Sequence, residues 1–404
     1  MIRLVMIPAL SVLLVASACT LQTATTSEAD AGADNTNTTV VEPNPSKTVT
    51  KPMDDAGTPR NALAFVPTNI PGIVADGTAN IEITDNCTFN TDDGTTDCAS
   101  QGFRYQTLTQ SDPDKTEVAV FVTGSLTIGT NAVVSVEGNR PLVLVTSGEM
   151  LLRGTLLAMP NGIYPDRSNG GGFSGPQPNA ADHKGNGPGG GGAPVDTTGG
   201  GGGAYCGNGG GTNGGKPYGN AEISPLLGGS SGGLGGDHAG GGGGAIQLIS
   251  ATSINLTSQA KINVGGGGGG WEGDGAGSGG AVILEAPSIT MGGTIAANGG
   301  GGGANSIRSN TAGHSGTADS IPAVAGSDPS CPGGKGSAGV VLDGAAGLFG
   351  GAPGAGLPSI GGGGGGGAGR VRINTSSGQA TISGTTSPDL TTVCFSQGKV
   401  KTSN

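Results

Sequence analysis

Four short sets of residues carry side chains able to do acid–base work: Asn90-Thr91-Asp92-Asp93-Gly94, Gly236-Asp237-His238, Gly313-His314-Ser315 and Arg370-Val371-Arg372-Ile373. Hydrolysis of a glycosidic bond needs two carboxylates facing that bond, and these sets hold the chain's best-placed acids and cations. Trp271 stands next to Glu272 and near Asp274 at the end of a glycine run. Tyr164, Tyr205 and Tyr218 lie in similar glycine-rich surroundings. An aromatic side chain at a loop tip can stack on a sugar ring, so these four are the candidate ligand contacts, on the condition that they share one face. Each reading has a plain competitor. Asn, Asp and Gly are the ordinary residues of turns, and a lone tryptophan can equally cover the end of a glycine segment. No catalytic residue is assigned, because the four sets are too widely spaced to stack on neighbouring repeats.

Metal and cofactor chemistry find no foothold. His183, His238 and His314 are isolated in glycine-rich segments and read as solvated or packing residues. Gly232-Gly233-Leu234-Gly235-Gly236-Asp237 matches one repeat of the calcium-binding β-roll pattern, but such sites draw ligands from consecutive repeats. No CxxC occurs, so a structural zinc site has no support. Cys87 and Cys98 flank a turn-rich segment and are expected to pair. Cys206 and Cys331 both fall in glycine-rich insertions and are expected to staple two of them, leaving Cys394 as the odd thiol.

The elements that must position these residues are legible around Gly240–Gly303. Two aliphatic blocks occur there, each closed by oligoglycine. Ile246 and Leu248, Ile254 and Leu256, Ile262 and Val264 form one; Val282 and Leu284, Ile289 and Met291, Ile295 and Ala297 form the next. Period two is the strand signature. Earlier copies run through Val120, Val122, Leu126, Ile128, Val134 and Val136, then Leu142, Leu144, Met150, Leu152, Leu156 and Ala158. A degraded fifth copy holds Val371, Ile373 and Ile382. A unit of three short strands repeated five times predicts an all-β chain. The expected architecture is a β-solenoid, β-helix-like, with a β-sandwich meander as the alternative. Residues 61–117 read as an N-terminal β cap with a cysteine hairpin, and 118–404 as the repetitive body. Glycine runs such as Gly265–Gly270 and Gly361–Gly367 carry no interspersed serine and keep fixed places beside the strands. They are expected to form polyglycine II, extended threefold helices packed side by side at about 3.1 Å rise per residue, against the plainer reading of flexible linkers.

Composition agrees with thin layers rather than one large core. The 404 residues include 87 glycines and 24 prolines, aromatics are 3 % and charged residues 12 %. A net charge of −11 leaves nothing to neutralise phosphates, so no nucleic-acid partner is expected. Arg3, the apolar run Leu4–Leu14 and the small residues before Cys19 make an export signal too short to span a bilayer. It resembles a bacterial lipoprotein signal, 1–19, in which Cys19 would be lipidated; Ala16 departs from the usual leucine. Thr20 after the cysteine implies the outer membrane in such proteins. Residues 20–60, rich in Ser, Thr and Pro, read as a solvated, disordered tether.

The motifs GGGGAIQL, GSGGAVILEAP, IAANGGGGG and GGGGAGRVRIN resemble those of glycine-rich bacterial cell-surface lipoproteins of uncharacterised function. In pattern they also resemble the polyglycine-sandwich tips of phage adhesins. The resemblance implies a surface-exposed structural or adhesive role, anchored to the membrane by lipid and contacting a glycan or another surface component, with no cofactor. The alternative is a polysaccharide-degrading β-helix enzyme. The four sets named first are, in order, similar to polygalacturonase motifs, though spaced too widely for consecutive coils.

Overall fold

The computed structural model describes residues 63–99, 101–110, 112, 116–161, 166–305, 311–349 and 360–402. The expected signal and tether, Cys19 and Tyr164 lie outside the described residues. Within them the chain is all-β, and no helix is long and apolar enough to cross a membrane.

Each aliphatic block becomes three strands. The first block gives β5 (Glu117–Thr123), β6 (Ser125–Ile128) and β7 (Val133–Glu137); the second β8 (Leu142–Thr146), β9 (Met150–Leu152) and β10 (Thr155–Leu157). The third gives β11 (Ala245–Ser250), β12 (Ser253–Leu256) and β13 (Lys261–Asn263); the fourth β14 (Ala281–Glu285), β15 (Ser288–Met291) and β16 (Thr294–Ala296). The degraded copy gives β17 (Arg370–Thr375), β18 (Thr381–Ile382) and β19 (Thr385–Ser387).

The three strands of a block belong to three different sheets. Each pairs in parallel with its counterpart in the neighbouring blocks, so β5, β8, β11, β14 and β17 are consecutive in one sheet. This is not the pairing of an antiparallel meander, where sequential strands join through hairpins. The register stacks like on like: Phe121, Leu144, Leu248, Leu284 and Ile373 form one column, and Leu126, Met150, Ile254 and Ile289 another. All of these side chains are buried in one continuous core. Adjacent strands lie about 4.8 Å apart, so beyond Phe121 aliphatic side chains fill these columns.

The first strands of the first two blocks, β5 and β8, carry an almost unbroken apolar run, and the reason is burial on both faces. The outer face of the β5–β8–β11–β14–β17 sheet, with Val120, Val143 and Ile283, forms a second apolar cluster. Leu63, Phe65, Ile70 and Ile73 cover it from the N-terminal side, and Tyr205, Ile223 and Leu226 from the first glycine-rich insertion. Within this layer the buried Glu285 carboxylate accepts from Thr68 N–H and Oγ1, Gln247 Nε2 and Asn374 Nδ2. That contact locks the 63–75 strap across the sheet.

The N-terminal region continues the ladders. β2 (Asn80–Ile83) and β3 (Cys87–Asn90) pair in parallel with β6 and β7, while β4 (Arg104–Thr109) adds antiparallel to β5. Phe89, Phe103 and Phe121 pack edge to face at this end, Phe89 and Phe121 at 4.9 Å between ring centroids, and Tyr105 packs tilted on Phe121 at 5.1 Å. Cys87 and Cys98 form the expected disulfide across 11 residues. At the other end β20 (Phe395–Lys399) extends the sheet beyond β17. β1 (Phe65–Val66) and β21 (Lys401–Thr402) form a separate antiparallel pair.

Oligoglycine forms a layer of its own rather than linkers. In Gly275–Gly280 the amides of Gly275 and Ser278 donate to the carbonyls of Gly233 and Ser230. Those of Ala276 and Gly279 donate to Gly364 and Gly367, and those of Gly277 and Gly280 to Gly267 and Val264. Along Gly362–Gly369 the same rule holds. Gly362, Gly365 and Ala368 donate to Leu348, Ala345 and Leu342, whereas Gly363, Gly366 and Gly369 donate to Gly303, Gly300 and Ala297. Every third amide returns to the same neighbour, so each tract is bonded on three sides. The tracts are buried, and a Cβ built on Gly277, Gly366 or Gly209 would overlap a neighbouring carbonyl oxygen. Only glycine permits backbones to approach this closely.

Candidate functional site

One of the four sets, Gly236-Asp237-His238, meets the Trp271–Asp274 stretch where the Gly265–Gly270 tract ends. The tract runs into a turn at Trp271–Gly273, and the loop Gly235–His238 lies against it. Asp274 is fully buried there. Its Oδ1 accepts the N–H groups of Gly235 and Gly236 at 2.7 and 2.8 Å, and its Oδ2 accepts that of His238 at 3.1 Å. Burial pushes the Asp274 pKa up to about 6, against the lowering effect of these three amides and with a smaller upward push from Glu272. Glu272 adopts φ of 66°, a left-handed conformation that few residues other than glycine take up. Burial raises its pKa, and Asp237 raises it further. His238 Nδ1 stands 3.8 Å from Asp166 Oδ2. Trp271 is half-buried beside the acids.

Perturbed carboxylates beside an aromatic ring are the usual mark of a site. Asp274, however, is spent on main-chain amides and acts as a clamp holding the Gly235–His238 loop to the glycine layer. The single β-roll-like repeat is this loop, wrapped round a carboxylate of the chain itself. The sign of its pH effect follows. The pKa is higher in the folded state than the unfolded value near 4, so the contribution to stability is full below about pH 4 and is lost as pH rises through about 6. The size is on the order of 3 kcal/mol. Differential scanning calorimetry of the wild type and Asp274→Asn at pH 4, 5, 6 and 7 should show the wild type losing melting temperature relative to the variant as pH rises through about 6, because the amide cannot ionise. Parallel curves would contradict the raised pKa of the buried carboxyl.

The three candidate aromatics among the described residues, Tyr205, Tyr218 and Trp271, do not form one exposed face. Tyr205 is buried, so it is a packing residue of the layer outside the sheet and not a surface contact. It stacks on Tyr218 at 4.6 Å, with the Arg370 guanidinium 5.6 Å from its ring centre. The Tyr218 hydroxyl donates to Gly228 O at 2.6 Å and accepts from Ser230 Oγ at 3.1 Å. Burial raises both phenol pKa values. Tyr164 is outside the described residues; Trp271 and Tyr218 are both half-buried, and the Tyr218 hydroxyl is spent on Gly228 and Ser230.

The other sets are engaged locally. Asp93 Oδ1 accepts from Thr95 N–H and Oγ1, Arg370 donates to Tyr218 O, and Arg372 Nε donates to Asn374 Oδ1. His314 is exposed. Cys206 pairs with Cys394 across 188 residues, not with Cys331. The ladder explains this correction: Cys206 N–H donates to Ala368 O and Val371 N–H to Cys394 O, which brings both cysteines to the start of β17. Cys87, Asp97 and Cys98 place their ligand atoms within 4.8 Å of one another. The two sulfurs are bonded to each other, so no thiolate pair is offered to a metal. Together the two disulfides point to an oxidising, extracytoplasmic environment.

One feature was not legible in the sequence. Asp92 and Glu117 flank Arg140 at the mouth of a groove of about 820 Å³, where the glycine layer meets the first two blocks. Asn139-Arg140-Pro141 reads as a turn between blocks, and nothing local says that the insertion at Gly171–Ser174 returns to face it. No family model, curated protein or solved structure matches this chain.

Proposed function

We propose that the chain is a surface-anchored, non-catalytic structural or adhesive lipoprotein of the outer membrane, held by lipid on Cys19 and contacting a glycan or another cell-surface component. On this reading the body is a β-solenoid faced by a polyglycine II bundle. The observation that carries it is the three-sided bonding of the glycine tracts. So much ordered backbone, at about 1–2 kcal/mol of entropy per residue, suits a stiff platform that holds a surface in place. The acids also argue for a scaffold: Asp274 is consumed by main-chain amides, while Asp92 is held by Asn139 and Glu117 by Arg140.

The test is to pass purified protein over a panel of immobilised polysaccharides and score both retention and release of new reducing ends. Retention of a subset without cleavage is expected. Release of reducing ends would overturn the non-catalytic reading in favour of a polysaccharide-degrading enzyme. No retention at all would leave only a structural role.

A further inference from the structure

We propose that the groove between the first two blocks and the glycine layer binds a neutral saccharide; this rests on the adhesive reading above and assigns its contact site. The groove lining has two unlike parts. One is polar and fixed in advance. Arg140 Nε donates to Glu117 Oε2 at 2.9 Å, and Nη1 donates to the carbonyl of Asp92 at 2.9 Å. Asn139 holds the Asp92 carboxylate through its N–H at 2.8 Å and its Nδ2 at 2.9 Å. These side chains nevertheless remain open to solvent, Arg140 by 29 % and Asp92 and Glu117 by 44 % each. They are therefore held in position while part of each planar fork stays free for a ligand.

The apolar part of the lining is made of Pro141, next to Arg140, and of Phe173 and Leu227 from the first glycine-rich insertion. Phe173 is pinned through its backbone, its N–H donating to Gly229 O and its carbonyl accepting from Gly242. Its ring lies against Gly187, where a Cβ would come within 2.7 Å of it. Gly171, at φ of 81°, lets the insertion close down on the Pro141 ring. The pyranose ring has matching chemistry: an apolar C–H face for an aromatic and aliphatic wall, and a rim of hydroxyls for planar donors and acceptors. The volume falls within the range of small-ligand clefts.

Charge selects among saccharides. Asp92 and Glu117 outweigh Arg140 in the groove, and the whole chain carries −11, so phosphorylated or uronic-acid ligands are disfavoured. Ordering the polar wall before binding also lowers the entropy cost of association.

The experiment is isothermal titration of the intact protein with neutral tetrasaccharides (gluco-, manno- and galacto-configured) and with tetragalacturonate. Phe173→Ala and Leu227→Trp are run in parallel, the first removing the platform and the second filling the groove. Binding of at least one neutral probe is expected, with a loss of tenfold or more in both variants at unchanged melting temperature, and with tetragalacturonate binding more weakly. Should one variant fold poorly, the other decides. Binding that survives in a folded variant would overturn the groove while leaving the adhesive reading intact. Tighter binding of tetragalacturonate would overturn the charge argument and with it the neutral-ligand assignment. Absence of binding to every probe by the wild type would overturn the proposal outright.

Discussion

Gly277→Val is expected to leave no folded, exported protein. The Gly277 N–H donates to Gly267 O, its carbonyl accepts from Gly300, and an added Cβ would overlap the carbonyl of Gly241. A branched side chain can be accommodated only by parting two tracts. That breaks several hydrogen bonds worth about 1 kcal/mol each and adds an overpacking cost of about 1–3 kcal/mol. Together these exceed about 4 kcal/mol, a large share of the 5–15 kcal/mol typical of a domain. Gly292→Ala is the control. It sits in the turn between β15 and β16, where the nearest neighbour of a Cβ is Leu256 O at 3.3 Å, and should cost less than about 1 kcal/mol. Secreted yield and the urea midpoint measure both. Equal behaviour of the two variants would mean that the tracts are not packed as described.

The second large effect is expected for Cys206→Ser with Cys394→Ser. The bond ties the first glycine-rich insertion to the segment just before β20 across 188 residues. Closing so long a loop restricts the unfolded chain by roughly 5 kcal/mol on the entropic account. The double variant should therefore unfold at much lower urea concentration than the wild type, with the first insertion, around Tyr205 and Tyr218, losing amide protection before the ladder core. A midpoint within error of the wild type would show that the ladder and the glycine layer alone hold the two segments together.

The ladder was written in the sequence and its surroundings were not. Pairs such as Leu248 and Leu284 repeat with a local period, and their columns follow directly from it. β19 and β20 escaped because Thr385–Ser387 and Phe395–Lys399 carry almost no apolar signal; they are recruited by the edge that earlier strands present. The solid apolar run of β5 and β8 held a further message, that both faces are covered, yet the covering residues lie more than fifty positions away in one case and at the N-terminal side in the other. The burial of Tyr205 is illegible for the same reason, since its exposure depends on how a glycine-rich segment folds back. The Cys206 partner was set by the β17–β20 register, a contact between distant segments. The Asp274 clamp likewise joins a loop to a turn almost forty residues later, and neither alone announces it.

The glycine layer has a thermal consequence. Melting it exposes peptide groups and hardly any hydrocarbon, and hydration of polar surface lowers heat capacity where apolar surface raises it. Per residue, that layer contributes little curvature to the stability profile. A body built this way keeps its strength over a broad span of temperatures, cold included, where proteins held mainly by oily interiors weaken.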